Sequence, residues 1–427
     1  MKTSISKQEL KTRIDLNFSR LSGDPYYQIG DVFSPATYAW YGDKEGRALL
    51  AFVSHYKISG KKIPCMEQMM EKMPEMLNEK GYLGNVAEAL FQEQQLSGHS
   101  WLLRGLCEYY EAFGDEKTLC LLQTVVENLY LPTAGKYHTY PIDREKVDRG
   151  GVSGTELGNV GIWRLSTDVG CAFMAIDGLS HVYKITRDAR VKALLEEMTR
   201  VYIGIDKRTL RVQTHCTLSA ARGMMRMYSV TGEAMYLDGA KSIWELYVLG
   251  GGMTYTYQNL NWWGRPKSWT EPCAIVDSLM LSLELYKTTG EETYRTTAAR
   301  VYQNGFSILQ RVDGGAGTDS VVFEGGEDTL FIKSWEARFC CTMRLAEGLW
   351  YIHENAALLD VQTCGTVTKN EQSVYMDGDV IYAEQNDVLL PYTASAVEVD
   401  GLVLHPLVKY YEIPYDVAMK GRQKIVF

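Results

Sequence analysis

Three cysteines and one glutamate carry the strongest chemical signal in this sequence. Cys340 and Cys341 stand side by side in SWEARFCCTM, and Glu271 and Cys273 sit two apart in WTEPCAIVDSLMLSLELY. Each group falls where a helix should begin. Thiolates near a helix N-terminus are stabilised by its dipole and its unpaired N–H groups. If the two helix starts are neighbours in space, one carboxylate and three sulfurs converge, which is a complete tetrahedral donor set for zinc. Soft sulfur donors disfavour Mg2+ and Ca2+, and a thiolate in such a set is also a nucleophile. The competing reading is a pair of buried core cysteines, since free cysteine behaves as a small apolar residue. Neither half is a CxxC, so spacing alone leaves both readings open.

The elements that must position these residues are helical hairpins. Turn sequences recur at ISGKK (58–62), FGDEK (113–117), ITRDA (185–189), VTGEA (230–234) and TTGEE (288–292). Each combines a turn former with charges, as short helix–helix connections do. The flanking segments have helical periodicity: Leu102, Leu106, Tyr109, Tyr110 and Phe113 share one face, as do Val276, Leu279, Met280, Leu283 and Tyr286. About twelve helices in six hairpins predict a mainly α fold, an (α/α)6 barrel over residues 1–355. The first helix can then pair with the last. From residue 356 to 427 short runs alternate apolar and polar residues between turns such as MDGD, so a small β-rich, sandwich-like appendage is predicted there. Two loop regions rich in Gly and aromatics, around residues 131–163 and 249–269, should lie at one mouth of the ring. Trp262 and Trp263 in the second could form a sugar platform or pack the loop down.

Bulk composition narrows the partners. The chain has 427 residues, 46% hydrophobic, with a net charge of -9 and no Lys/Arg clusters, which argues against nucleic acid and anionic membranes. No run of apolar residues is long enough to span a bilayer. The polar, helical start MKTSISKQELKTRIDLNF has no apolar signal-peptide core, so a cytoplasmic location is expected. Nine scattered cysteines favour reduced thiols, a metal site or catalysis over a disulfide framework.

Several stretches together resemble glycoside hydrolase family 127, the β-L-arabinofuranosidase-like family. They are GYLGNV (81–86), GHSWLLRGLCEYYEAFGDEKTL, THCTLSAARGMMRMYSVTGEAMYLDGA, WTEPCAIVDSLMLSLELYKTTGEETY and FCCTMRLAEGLW, within roughly residues 30 to 355. The Glu-x-Cys followed by Cys-Cys is the most specific part. The resemblance implies a retaining glycosidase that binds Zn2+ through Glu271, Cys273, Cys340 and Cys341, with Cys340 as nucleophile. It also implies that His99 and His215 contact the sugar of an oligosaccharide or glycoside, a non-reducing-end furanoside.

The chain departs from the family at two places. The family's general acid is a glutamate just before Glu271, yet residues 253–270 hold no Asp or Glu. Glu324, Glu327, Glu156 and Asp168 are the substitutes that sequence offers. A second family histidine is replaced by the stretch LSTDVGC (165–171). Two alternatives therefore stand beside the glycosidase: a non-hydrolytic zinc-containing carbohydrate-binding relative, and another (α/α)6 sugar isomerase or lyase with structural cysteines.

Overall fold

The computed structural model describes residues 5–35, 40–86, 89–143, 154–254, 257–264, 270–317 and 336–359 in full, with the backbone of short strands near both termini. Among these residues twelve helices have ten residues or more. In chain order they are α1 (Lys7–Gly23), α2 (Asp43–Ser59), α3 (Pro64–Met76), α4 (Glu93–Phe113), α5 (Glu116–Val125), α6 (Ala175–Thr186), α7 (Ala189–Gly204), α8 (Thr214–Thr231), α9 (Ala234–Leu249), α10 (Pro272–Thr289), α11 (Glu292–Val301) and α12 (Cys341–Leu359).

The even-numbered helices form a closed inner ring. Helix α2 packs on α4, α4 on α6, α6 on α8, α8 on α10, α10 on α12, and α12 returns to α2. Each odd-numbered helix lies outside against an inner one, and α1 covers α12, as the barrel requires. The two sets differ in sequence for a physical reason. Inner helices are covered on all sides, so every residue of α2 from Asp43 to His55 is buried. Outer helices bury one stripe, as in α7 with Val191, Leu194, Leu195, Met198 and Tyr202.

All five turns read from the sequence join an inner helix to the next outer one. Four of them end the inner helix on a glycine in the left-handed region, for example Gly60 at φ 69° and Gly232 at φ 72°. The remaining turn, ITRDA, uses Arg187 at φ 57°, where a side chain is tolerated at some cost. Asp115 and Asp188 then cap the outer helices by accepting from the backbone N–H of Thr118 and Arg190. Because each hairpin reverses the chain twice, the inner helices run the same way and their N-termini share one mouth. Close approach within the ring has a clear example at Gly46 of α2: a Cβ there would lie 2.1 Å from the backbone of Trp101 in α4.

Helix α12 continues to Leu359, past a break in helical geometry at Asn355. Beyond it come strands. Lys2–Thr3 pairs antiparallel with Val361–Gln362, and five short strands form an antiparallel sheet in which Gln423–Val426 lies between Val380–Ala383 and Val397–Val399. A small mixed sheet of Phe91–Gln92, Trp163–Ser166 and Glu156–Val160 leads into α4. No helix of the described residues is long and apolar enough to cross a membrane.

Candidate metal and active site

Glu271 is the N-cap of α10, with Pro272 in the first helical position. Its backbone N–H donates to Asn259 Oδ1 at 3.1 Å, which ties the loop before α10 to the helix start. Cys340 and Cys341 open α12, where the Ala337 carbonyl accepts from the N–H groups of both cysteines. Outer helix α1 pins this start, since Asn17 Nδ2 donates to the Thr342 carbonyl at 3.1 Å. The two helix starts are neighbours in the inner ring, and the four side chains meet: one donor atom from each of Glu271, Cys273, Cys340 and Cys341 lies within 4.8 Å of all the others.

The donor set suits a tetrahedral thiophilic cation. Cys273 and Cys341 sulfurs are 3.7 Å apart, close to the edge of a zinc–thiolate tetrahedron, about 3.8 Å for Zn–S bonds of about 2.3 Å. Cys340 and Cys341 sulfurs are 3.2 Å apart. Burial works against charge on every member. It pushes the thiols of Cys340 and Cys341 well up, with neighbouring Cys273 adding to the effect. Glu271 is pushed well up by burial, then by the charges of Cys273 and Asp168. Burial opposes ionisation of Cys273 too, but hydrogen bonds with the other two sulfurs and the positive charge of Arg47 outweigh it, and its thiolate is favoured. Four acids crowded in a dry site are an arrangement that a bound cation would stabilise.

The surroundings orient this cluster. Gln213, just before α8, donates to Asp168 Oδ1 at 3.0 Å and to Glu271 Oε2 at 3.4 Å. Arg47 of α2 donates from Nε to both oxygens of Asp43, at 2.9 and 3.0 Å, and from Nη1 to Cys273 Sγ at 3.5 Å. Its guanidinium lies 3.9 Å from the ring centre of Trp101. Sequence reading missed Arg47 and Asp43. The available signal was a charged pair spaced i, i+4 inside a helix otherwise built for burial.

His215 and His99 both sit in the inner ring, yet their nitrogens face protein. Nδ1 of His215 is 2.8 Å from Asp277 Oδ2, and its Nε2 faces the Arg47 guanidinium at 3.4 Å. Arginine can only donate, so this network places the His215 proton on Nδ1. His99 Nε2 accepts from the Leu83 N–H at 3.0 Å, while Nδ1 contacts the Gln95 carbonyl at 2.9 Å. Both rings therefore brace the inner helices, and neither nitrogen of His99 is open to a hydroxyl. The sugar platform suggested for Trp262 and Trp263 is corrected: they are 1% and 0% exposed, and their indole N–H groups donate to Thr167 and Thr217. Of the substitute acids, Asp168 is fully buried and accepts from Gly154 and Gln213. Glu156 pairs with Arg164 at 3.1 Å on the rim. Glu324 and Glu327 lie outside the described residues.

Comparison with known proteins agrees with this architecture. No curated protein matches the sequence. Among solved structures, a GH127 β-arabinofuranosidase superposes with a TM-score of 0.56 at 13% identity, covering 100% of this chain and 79% of that one. A GH127 β-L-arabinofuranosidase from Geobacillus stearothermophilus T6 gives 0.51 at 11% identity, covering 100% and 81%. The cellobiose 2-epimerase from Bacillus thermoamylovorans B4167 gives 0.52 at 12% identity, covering 82% and 98%. At such identities these structures establish the shared helical-ring fold alone. The family model described as β-L-arabinofuranosidase, GH127 catalytic domain, matches residues 26–354. The chain thus belongs to glycoside hydrolase family 127 and is, by that membership, a glycosidase.

Proposed function

We propose that this protein is a retaining glycosidase whose nucleophile is Cys340, with a zinc ion held by Glu271, Cys273, Cys340 and Cys341. The convergence of these four buried donors at two adjacent helix starts is the observation that carries the reading. Bound there, zinc would supply positive charge that keeps the thiols deprotonated at neutral pH. Cys340 is the least buried of the three residues, 7% exposed against 1% for Cys341 and 0% for Cys273, which favours it as the one that meets a substrate. Its thiolate attacks the anomeric carbon and the bond from that carbon to the leaving oxygen breaks, giving a glycosyl thioether. The leaving oxygen takes up a proton. Water then attacks the same carbon, the carbon–sulfur bond breaks, the thiolate is restored and the water gives up a proton. Two inversions give net retention. The substrate is a non-reducing-end furanoside such as a β-L-arabinofuranoside, in keeping with the family description. The ring over residues 1–355 is the catalytic unit and residues 356–427 its β-rich appendage.

The lack of Asp or Glu between residues 253 and 270 favours a second reading, a zinc-containing relative that binds sugars without cleaving them. One experiment separates the two. The purified protein is assayed for metal, then treated with an arabinofuranose-configured bromoacetamide and mapped by peptide mass spectrometry. The enzyme reading expects one zinc per chain, an adduct on Cys340, and a C340S variant that keeps metal but loses turnover. Zinc without an adduct supports the binding protein, and a chain free of zinc defeats both.

A further inference from the structure

Arg47 links four of the six inner helices, and each of its guanidinium nitrogens has a partner. On α2 its Nε donates to both oxygens of Asp43, one turn earlier, at 2.9 and 3.0 Å. Nη1 donates to Cys273 Sγ at the start of α10, at 3.5 Å. Nη2 donates to His215 Nε2 of α8 at 3.4 Å. His215 Nδ1 in turn donates to Asp277 Oδ2, further along α10, at 2.8 Å. The guanidinium lies over Trp101 of α4, 3.9 Å from the ring centre, and the His215 ring stacks on the same indole at 5.6 Å. All of these side chains are buried.

This is more fixation than a buried ion pair needs. Asp43 already meets the charge of Arg47, and the two together are neutral in sum, so the pair adds little net repulsion against a cation held by the sulfurs. What remains is an N–H aimed at one sulfur. A sulfur that accepts such a bond is fixed in place and passes less electron density to a bound cation. The three sulfurs are therefore not equivalent. Cys273 lies in the first turn of α10, behind Pro272, and is tied to Arg47. Cys340 stands just before α12 begins, and its sulfur meets that of Cys341.

We infer that Arg47 is a positioning residue of the metal site: it holds Cys273 as the fixed sulfur, so that Cys340 can leave and rejoin the donor set while the ion stays in place. The inference rests on the zinc-dependent glycosidase reading for what the site holds. It gives the Asp277–His215 pair a part as well, since that pair fixes the second terminal nitrogen of Arg47. Lysine is no equivalent, because one ammonium on a flexible stem lacks the planar fork that reaches Asp43, Cys273 and His215 together.

The test compares the parent protein with R47K and with a charge-balanced double variant, Asp43→Asn with Arg47→Met, in which the methionine can still pack on Trp101. Each is loaded with Zn2+ and, separately, with Co2+. Metal affinity is read by competition with a chelator, the sulfur-to-cobalt charge-transfer band by absorption, and folding by circular dichroism and melting. The double variant should lose on the order of 10–100-fold in affinity for both metals. Its band should move to lower energy, because the sulfur no longer accepts the N–H. R47K should recover part of each change. A role confined to packing would lower the melting temperature but leave affinity and band as in the parent, and that result overturns the inference. If the double variant does not fold, R47K decides by the same two readings. A parent protein that takes up neither metal defeats the metal reading and this inference together. A parent that binds metal no more tightly than its variants overturns the role of Arg47 alone.

Discussion

The two mouths of the helical ring each gather metal-ligating side chains, and they treat them in opposite ways. At the N-terminal mouth Glu271, Cys273, Cys340 and Cys341 are four acids, and among the described residues Arg47 is the cation that donates to one of them. At the other mouth Glu108, Glu111 and His181 also come within metal-binding distance of one another. There the donors are already engaged. Lys57 and Arg104 donate to Glu108, Lys184 donates to Glu111 at 2.8 Å, and Arg104 donates to His181 Nδ1. Burial opposes the charge of Glu108, but Arg104, His181 and Lys57 outweigh it and hold its carboxyl at about 2. The contrast predicts that donor type and proximity do not by themselves make a cation site. A site also needs negative charge that the protein has left uncompensated.

Breaking the sulfur mouth should have the largest effect. Cys341→Ala should drop metal content from one per chain to none and lower turnover by on the order of 10⁴-fold or more. His181→Gln, at the far mouth, should leave the metal count unchanged. Elemental analysis of both variants decides the matter. A C341A protein that keeps its zinc, or an H181Q protein that loses some, would reverse the assignment of the two mouths.

Between the mouths lies an ionic interior that serves stability. Asp277 accepts from His215 Nδ1 and Ser219, each at 2.8 Å, from Arg222 at 2.7 Å and from Arg344. Glu347 accepts from Arg104 at 2.8 Å and Arg222 at 2.9 Å. Removing one partner strands the rest as buried charges. Asp277→Ala should therefore cost about 3–5 kcal/mol in urea unfolding. A loss below about 1 kcal/mol would mean that the interior cations find other partners.

The ring was legible in the sequence because its turns are local events. A turn former with charges after an apolar stripe marks a hairpin without knowledge of its neighbours, and the five turns fell where they were read, four on a glycine and one on Arg187. The sulfur cluster was legible through the resemblance to the family, since the spacing of Glu271, Cys273, Cys340 and Cys341 alone left a pair of core cysteines equally open. The ionic interior was not, since Asp277, Arg222 and Arg344 lie in otherwise apolar helices and only the closed ring shows that they meet. Arg47 was passed over for a similar reason. Trp262 and Trp263 drew notice as a pair in a Gly-rich loop, yet burial depends on what packs above a residue, and sequence does not show that.

The pH dependence of stability sharpens the comparison with the smallest effect. Burial lowers the imidazoles of His55, His99 and His181 to about 4 each; weaker contacts with Asp15, Gln95 and Glu111 respectively raise them again in part. In the unfolded chain these rings titrate near 6.5. Between pH 6.5 and 4 the unfolded state thus binds protons that the folded state refuses, so stability falls as the pH falls through this window and is flat above it. Each histidine contributes at most about 1.4 kcal/mol per pH unit. Asp177 and Asp277 do not add to this slope. Burial opposes their charge, but the arginines around them prevail and keep both carboxyls ionised well below the usual range, so their contribution is lost only at lower pH. Urea unfolding of the parent protein and of His181→Gln, at steps from pH 7.5 to 4.5, isolates the far mouth. The variant should start lower but lose stability with pH less steeply, by up to the contribution of one histidine. Parallel slopes would show that His181 takes a proton in the folded state, and that the far mouth holds more negative charge than its lysines and arginines have already met.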